Sequence, residues 1–380
     1  MASIIWRIGL IFVLVTDLAH GAVLRVGPDQ DLKQPSAAAA IARDGDVIEI
    51  DAGTYHGDVA VWRRNNLTIR GVGGMAHLEA AGRSAEGKAI WVIKGRNTIV
   101  ENVEFSGATV SDGNGAGIRQ EGAGLTVQHC YFHDNENGIL GGAGNVVIEY
   151  SEFAYNGTGD GRTHNIYIGE HTQRFTLRFS YSHHARVGHN VKSRAQESYI
   201  LYNRIMDEAD GDSSYDIDLP DGGIGYVMGN LIQQGPKSDN STIMSFGAEG
   251  LHFPKNALYV INNTIVNDKN GGKFIAIAGN AGPVLIANNL FVGQGTLPAD
   301  HVEFMTNLML NDAGLVDRQH YDYRLTAASP AIDAGSDPGS ATGFRLKPVA
   351  QYVHPRLGEP RPEVGRIDIG AYEYPGSQAR

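Results

Sequence analysis

The feature that most constrains the fold is an internal repeat, which predicts a solenoid. Eight apolar-rich segments begin 21 to 33 residues apart: TIVENVEF (98–105), LTVQHCYF (125–132), VVIEYSEF (146–153), FTLRFSYS (175–182), YILYNRIM (199–206), GYVMGNLI (225–232), LYVINNTI (258–265) and VLIANNLF (284–291). Shorter segments alternate with them: GIRQ (117–120), GILG (138–141), NIYIG (165–169), NVKS (190–193), YDIDL (215–219), TIMSF (242–246) and FIAIA (274–278). Alternating apolar and polar residues predict strands. Each repeat therefore carries at least two strands and two corners, and the chain is predicted to be all-β, a right-handed parallel β-helix.

Stacked repeats bury a common inner face by bringing equivalent positions into columns. One predicted apolar column contains Val100, Val127, Ile148, Leu177, Leu201, Val227, Val260 and Ile286. A second column, at a bend, ends in Asn230, Asn263 and Asn289. Stacked asparagines can hydrogen-bond along the axis and satisfy backbone groups that a sharp corner leaves open.

The two ends of the chain differ from the repeats. Residues 1–22 predict a signal peptide, because Arg7 precedes an apolar run from Ile8 to Val15 and small residues follow, which implies export to the periplasm or the medium. Residues 23–380 form one predicted domain without a membrane span: 23–65 hold an N-terminal cap and first turn, 66–310 the repeat turns and 311–380 an irregular C-terminal cap. Ser36 is the expected N-cap of a short helix over the first turn. With Cys130 as the one cysteine, no internal disulfide is available.

Three segments carry a resemblance to a known superfamily. DGDVIEIDAGTYHGDV (44–59), DYRLTAASPAIDAG (322–335) and DIGAYEY (368–374) are similar to segments of secreted proteins of the pectate-lyase-like right-handed β-helix superfamily. The resemblance implies the fold over nearly all of the mature chain. It does not select a chemistry, because the superfamily includes lyases, hydrolases, epimerases and proteins without known activity.

Charge is unevenly distributed along the stack. The chain carries a net charge of −11, which argues against nucleic-acid binding. Residues 171–204 nevertheless hold six lysines and arginines, four histidines and one acid, whereas residues 207–221 hold seven acids and neither lysine nor arginine. Neighbouring turns of opposite sign can simply neutralise each other on a solvated face. They can also form a groove for an anionic glycan.

Aligning the shorter segments favours the groove. Arg119, Leu140, Tyr167, Lys192 and Asp218 fall in one outward column, and Asn165, Asn190 and Asp216 lie two residues before the last three. Stacked strands are about 4.8 Å apart, so these side chains could converge on one sugar. We expect Arg119, Asn165, Asn190, Asp216 and Asp218 to bind substrate.

Such a set of residues suits β-elimination in a uronic acid polymer. Cations neutralise the C6 carboxylate, a base removes the C5 proton and an acid protonates the leaving O4. The expected catalytic residues are Lys192 as base, Arg194 beside it, Tyr167 as acid or base, and His164 or His189.

HNVKSRAQESYILYNRI (189–205) also resembles the segment around the base lysine of the alginate lyase and chondroitinase B family, although only Lys192 and Ser193 correspond. That family has calcium-binding acids shortly before the lysine and an arginine on the following turn. In this chain Ala185 and Val187 stand near the positions of those acids, and Asp216 and Asp218 lie on the turn that would carry the arginine.

Other functions remain open. The acidic stretch could ligate Ca²⁺ through Asp207, Asp210 and Asp212. Asp216 and Asp218, with Asp221, could instead be the carboxylates of a glycoside hydrolase. A glycan-binding or surface protein without catalysis is a third alternative. His129 aligns with Asn102, Tyr150 and Asn203 in a predicted inward column and is expected in the core, while His183 and His184 are expected in a corner.

Overall fold

The computed structural model describes residues 21–376, and it confirms the parallel β-helix. Twenty-eight strands are joined by parallel pairing into one continuous sheet system. Helical structure in these residues is limited to one α-helix, Pro35–Ile41, and one 3₁₀ helix, Arg318–His320. None of the described helices is long and apolar enough to cross a membrane. The predicted signal peptide lies almost wholly outside the described residues.

Each turn contributes three strands, which stack into sheets that we name A, B and C. Sheet A contains Val23–Val26, Thr98–Glu101, Leu125–Gln128, Glu197–Leu201, Ile224–Met228, Ala257–Ile261, Val284–Ala287 and Glu303–Met305. Sheet B contains Val103–Ser106, Tyr131–His133, Glu152–Ala154, Tyr181–His183, Arg204–Met206, Leu231–Gln234, Thr264–Asn267, Leu290–Gly293 and Leu308–Leu310. Sheet C contains Ala60–Trp62, Ala89–Ile93, Ala116–Gln120, Val191–Ser193, Ile217–Leu219, Thr242–Phe246 and Lys273–Ile277. Longer strands bend between sheets: Val47–His56 and Thr68–Glu79 pass through A and B, and Asn137–Glu149 and Ile166–Arg178 through C and A.

The eight repeat segments each contain two strands rather than one. A single residue in the left-handed region separates the strand of sheet A from that of sheet B: Asn102, His129, Tyr150, Phe179, Tyr202, Gly229, Asn262 and Asn288, with φ between 50° and 69°. Non-glycine residues adopt this conformation at a cost. Packing offsets this cost, because the corner turns both flanking strands toward a common core.

The apolar column of sheet A is present with one correction. Its members are fully buried, but Ile200 rather than Leu201 pairs with Leu177 and Val227. A shift of one residue reverses the face of a strand. Because Ile200 and Leu201 are both apolar, the sequence pattern does not distinguish the two registers.

The predicted asparagine column is confirmed and extends further in both directions. Asn203, Asn230, Asn263, Asn289 and Asn307 directly follow the corner residues. The side-chain amides of the first four donate to the next asparagine's Oδ1 at 2.9–3.0 Å, and each of the five donates to a backbone carbonyl of the preceding turn, as Asn263 does to Val227 at 2.8 Å. We call this set the asparagine ladder.

The ends of the domain are built in different ways. Helix Pro35–Ile41 packs against the strands Val23–Val26 and Ala60–Trp62. Its N-cap is Gln34, not Ser36, whose backbone N–H donates to the carboxylate of Asp58 at 2.9 Å.

The parallel strands end at Leu310, and the chain then forms three antiparallel pairs: Leu315–Asp317 with Asp322–Leu325, Ser340–Ala341 with Phe344–Arg345, and Ala350–Val353 with Leu357–Pro360. This segment does more than close the end, because it runs back along the stack. The N–H of Val349 donates to the hydroxyl of Tyr202 at 3.2 Å, and Arg356 pairs with Glu152 at 3.4 Å. It therefore covers parts of the outer faces of sheets A and B.

Candidate functional site

The outward column predicted on sheet C is present in the structure. Parallel pairing places Arg119 beside Leu140, Leu140 beside Tyr167, Tyr167 beside Lys192 and Lys192 beside Asp218. Five different side chains thus occupy equivalent positions on five successive turns. We call them the sheet C column.

Lys192 lies at the centre of a charged cluster. Its Nζ is 3.6 Å from Oδ2 of Asp218 and 3.2 Å from Oε1 of Glu249, and it lies 5.7 Å from the ring centroid of Tyr167. Only 11% of its side chain is exposed. Two carboxylates and one aromatic ring therefore surround the Lys192 side chain.

Arg194 lies two residues further along and connects the same groups. Its Nε donates to the hydroxyl of Tyr167 at 2.9 Å, one terminal nitrogen donates to Glu249 at 2.6 Å, and the other donates to Asp221. The structure therefore brings together Lys192, Arg194 and Tyr167, as the sequence predicted.

Glu249 was missed by the sequence analysis. It lies in the loop after the sheet C strand Thr242–Phe246 and bridges both cations, 57 positions from Lys192 in the chain. The available signal was that this loop follows the sheet C strand two turns beyond Lys192, with the turn of Asp218 between them. About half of the Glu249 side chain is exposed.

The two carboxylates around Lys192 have opposite pKa shifts. Burial raises the pKa of Asp218 to about 6, against the opposing effect of the Lys192 ammonium. Its Oδ1 is buried and has no hydrogen-bond partner among residues 21–376. Burial also acts to raise the pKa of Glu249, but the hydrogen bond from Arg194 and the charge of Lys192 outweigh it, and the pKa lies below its usual value.

His164 and His189 are buried behind this cluster. Their rings stack at 4.5 Å, and Nε2 of His189 is 3.5 Å from Oδ2 of Asp218. Burial lowers the pKa of both rings, that of His189 to about 3, so both are neutral near pH 7. Nδ1 of His164 accepts from the N–H of His189 at 3.0 Å, and Nδ1 of His189 accepts from the N–H of Tyr215 at 3.4 Å. Each ring therefore carries its proton on Nε2, and that of His189 points at Asp218.

Three predicted substrate-binding residues face the interior instead. Asn165, Asn190 and Asp216 are at most 2% exposed and continue a second ladder that starts at Asn135 and Asn156. Asn165 donates to Asn190 at 3.0 Å, and Asn190 donates to Asp216 at 2.9 Å. The prediction was wrong for these three because the strands begin one residue later, at Ile166, Val191 and Ile217. Strand alternation does not extend into the corner that precedes them.

The predicted calcium ligands do not converge. Asp207 is buried and accepts hydrogen bonds from Ser213 and Ser238, whereas the side chain of Asp210 is 72% exposed and contacts Nε2 of His184 at 3.1 Å. Asp212 accepts from the N–H of Val187 at 3.2 Å. The arrangement does not fit a calcium site made of these three carboxylates, and a calcium requirement stays a prediction.

Three other histidines, His129, His183 and His184, lie away from this cluster. His129 is exposed, contrary to expectation, because the left-handed corner residue points outward, and its ring stacks on that of Tyr150 at 5.1 Å. Tyr202, not Asn203, occupies the equivalent corner position on its own turn. His183 and His184 are buried where a sheet B strand ends, with their Nδ1 atoms 2.7 Å apart.

An open groove of about 560 Å³ adjoins the sheet C column. Arg119, Tyr167 and Arg194 line it together with Glu121, Glu170 and His171. A larger groove of about 690 Å³ lies at the A–B corner, beside His129, Tyr150 and Arg356. The smaller groove is the better candidate site because it borders the phenol and guanidinium that contact the Lys192 cluster.

Comparison with known proteins identifies similar folds but no sequence family. No protein-family model matches the sequence, and no curated protein matches it significantly. The solved structure of pectate lyase Pel9A matches with a TM-score of 0.66 at 14% identity, over 94% of this chain and 97% of that one. An alginate lyase from Paenibacillus sp. str. FPU-7 matches with a TM-score of 0.54 at 16% identity, over 70% of this chain and 95% of that one. The chain therefore has the pectate-lyase-like parallel β-helix fold, and in architecture it resembles polysaccharide lyases.

Proposed function

We propose that this protein is a polysaccharide lyase that cleaves a uronic-acid-containing glycan by β-elimination at the Lys192 cluster. The observation that carries the proposal is the convergence of an ammonium, a guanidinium and a phenol beside an open groove. The two similar structures are lyases of pectate and of alginate, which are both uronate polymers, and this supports the substrate class.

We expect the substrate to bind at Lys192 and Arg194, the two cations that Glu249 bridges in this structure. Arg194 and Lys192 both hold the Glu249 carboxylate, at 2.6 and 3.2 Å, so the same pair is spaced to hold a sugar carboxylate. A uronate C6 carboxylate that displaces Glu249 would be neutralised by the Arg194 guanidinium and would accept a hydrogen bond from the neutral amine of Lys192. Neutralisation acidifies the C5 proton, which is the hydrogen that β-elimination removes.

Proton transfer is assigned to Lys192 and Tyr167. Lys192 acts as base in its neutral amine form, after its ammonium proton has passed to solvent. The amine takes the C5 proton, the C4–O4 bond breaks and a C4–C5 double bond forms. The hydroxyl of Tyr167 accepts from Arg194, which leaves its own proton free for the departing O4. His189 contributes as a neutral residue that positions Asp218, and His164 stacks on His189.

The test is an assay on a panel of uronate polymers. The purified protein is incubated with polygalacturonate, alginate and glycosaminoglycans, with added calcium and with a chelator, and the ultraviolet absorbance of the new conjugated double bond is followed. We expect absorbance to rise on at least one polymer and Lys192→Ala to abolish the rise. Lys237→Ala, at an exposed lysine, is the matched control.

Two other outcomes would contradict the proposal. New reducing ends without ultraviolet absorbance would indicate a glycoside hydrolase, for which Asp218 is the outward-facing carboxylate. Binding of a polymer without any cleavage would indicate a glycan-binding protein.

We also propose that the protein is exported, because uronate polymers lie outside the cytoplasm. Residues 1–22 supply the signal that supports it. Expression of the full chain in a bacterial host, followed by fractionation and N-terminal sequencing, tests this point. We expect the mature protein to begin near Ala22 and to be in the periplasm or medium, whereas an intact Met1 in the cytoplasm would contradict export.

A further inference from the structure

A second group of chemically active side chains lies on sheet B, in earlier turns than the Lys192 cluster. His77, Glu104 and His133 belong to three successive strands, and Glu104 pairs directly with His77. Their neighbours along the strands, such as Ala76, Phe105 and Phe132, are fully buried. The three polar side chains therefore alternate with the core and project from the outer face of the sheet.

We propose that His77, Glu104 and His133 form a binding site for a divalent transition-metal ion, of which Zn²⁺ is the reference case. One ligand atom from each residue lies within 4.8 Å of the others, and no other such group of three or more is found among residues 21–376. Two imidazoles and one carboxylate are a common ligand set for zinc, and such sites keep a position open for water.

The distances fit an ion placed between the three residues. Oε1 of Glu104 is 3.0 Å from Nε2 of His133 and 3.7 Å from Nε2 of His77. Tetrahedral coordination with zinc bonds of about 2.0–2.2 Å puts neighbouring ligand atoms about 3.4 Å apart. The observed distances lie on either side of that value. The side chains are 19–24% exposed, so an ion and a water molecule can reach them.

The surroundings orient the ligands in the way that metal sites require. Nδ1 of His133 is 2.9 Å from Oδ2 of Asp134, which fixes the ring so that Nε2 faces Glu104. A carboxylate behind a ligand histidine is the usual outer-shell arrangement. Arg186 holds Asp134 in place at 2.6 Å. The hydroxyl of Ser106 hydrogen-bonds to Nε2 of His77 at 2.7 Å, and an ion bound to that nitrogen would replace this hydrogen bond.

An ion at this site would join three turns of the solenoid. The three residues are 27 and 29 positions apart in the chain, so one ion would link strands that are otherwise held by backbone hydrogen bonds and packing. Binding to the folded state alone raises the stability of that state. Because the site is on sheet B, it is independent of the chemistry proposed on sheet C.

The experiment uses untagged, chelator-treated full-length protein. Titration with Zn²⁺ in a calorimeter should show one ion per chain, and the thermal unfolding midpoint should rise with added Zn²⁺. Co²⁺ should give the intense visible absorbance of a four-coordinate site. Absence of binding, or a spectrum identical to that of aqueous Co²⁺, would overturn the proposal without any variant.

Variants locate the site. His77→Gln, His133→Gln and Glu104→Gln should each weaken Zn²⁺ binding about tenfold or more. The matched control is His320→Gln, because Nδ1 of His320 also contacts a carboxylate, that of Asp317 at 2.7 Å, but in a pair rather than a group of three. Circular dichroism of the metal-free variants verifies folding. Unchanged affinity in the three folded variants, or equal loss in His320→Gln, would show that the ion binds elsewhere and would overturn the assignment.

Discussion

Two columns of this solenoid illustrate the difference between structural and chemical stacking. The asparagine ladder repeats one residue type at five successive positions, and its side chains satisfy each other and the backbone of the corner. The sheet C column holds Arg119, Leu140, Tyr167, Lys192 and Asp218 at equivalent positions. A uniform column satisfies the same backbone groups at the corner of every turn, whereas a varied column brings chemically different side chains together at one place in the stack.

The second ladder lies between these extremes. It runs through asparagines to Asn190 and then ends on Asp216, close to the buried Asp207. Two residues beyond Asn190 and Asp216, on the outer face of sheet C, lie Lys192 and Asp218 of the charged cluster. The boundary between structural and chemical positions is thus only two residues wide, from Asp216 to Asp218.

After Lys192→Ala, the largest loss of activity is expected for a change at Tyr167. Tyr167→Phe keeps the ring beside Lys192 but removes the proton proposed for the leaving oxygen, so we expect kcat to fall about 10²- to 10⁴-fold. The matched control is Tyr199→Phe on sheet A, whose ring also packs against an arginine, Arg174, at 5.2 Å. Initial rates on the polymer that the panel identifies provide the measurement. Full activity in Tyr167→Phe would remove the acid from the proposed mechanism.

A comparable change in the uniform column should affect stability instead. Asn263→Ala removes the acceptor of the Asn230 amides and the donor to Asn289 and to the carbonyl of Val227. Buried groups left without partners cost about 1–3 kcal/mol each, so we expect the free energy of unfolding to fall by about 3 kcal/mol. Urea denaturation measures this change. Asn114→Ala, at an exposed asparagine outside the left-handed region, is the control and should change it by about 0.5 kcal/mol or less.

Asp216→Asn tests the boundary between the two kinds of column. Burial, reinforced by Asp207, raises the pKa of Asp216 well above its usual value. The folded protein therefore retains this proton where the unfolded chain has lost it, so the group lowers stability as pH rises from about 4. Asparagine does not ionise, and we expect the variant to be more stable than the wild type by on the order of 1 kcal/mol at pH 8, with little difference at pH 4.

Thermal unfolding across this pH range measures the effect, with the exposed Asp29→Asn as control. Activity should be retained, because the side chain is buried in the ladder. A folded Asp216→Asn variant that had lost activity without gaining stability would support the glycoside hydrolase alternative.

The smallest effect is expected for Glu249→Gln. Its half-exposed ion pairs with Lys192 and Arg194 compete with the substrate carboxylate, and such pairs are worth about 0–1 kcal/mol, so KM should fall by up to about fivefold. Glu363→Gln, at an exposed glutamate that pairs with Lys347, is the control. A rise in KM would mean that Glu249 holds the cations ready for substrate instead of blocking them.

Much of the fold was predictable because its signals are local and repeated. Alternation within sheet C gave the register of Lys192 and Asp218, and the repeated asparagines marked the corner of sheets A and B. The failures occurred where the pattern was ambiguous or interrupted. Ile200 and Leu201 are both apolar, and Asn165, Asn190 and Asp216 lie just outside their strands.

The sequence by itself determined the parallel β-helix and the column that carries Tyr167, Lys192 and Asp218, because both follow from the spacing of residues within one repeat. Only the tertiary structure decided that Glu249 bridges Lys192 and Arg194, that two histidines lie buried behind Asp218, and that His77, Glu104 and His133 meet. It also decided that the C-terminal segment runs back along sheets A and B. These contacts join residues from different turns through corners and loops, whose paths depend on packing rather than on any local periodicity.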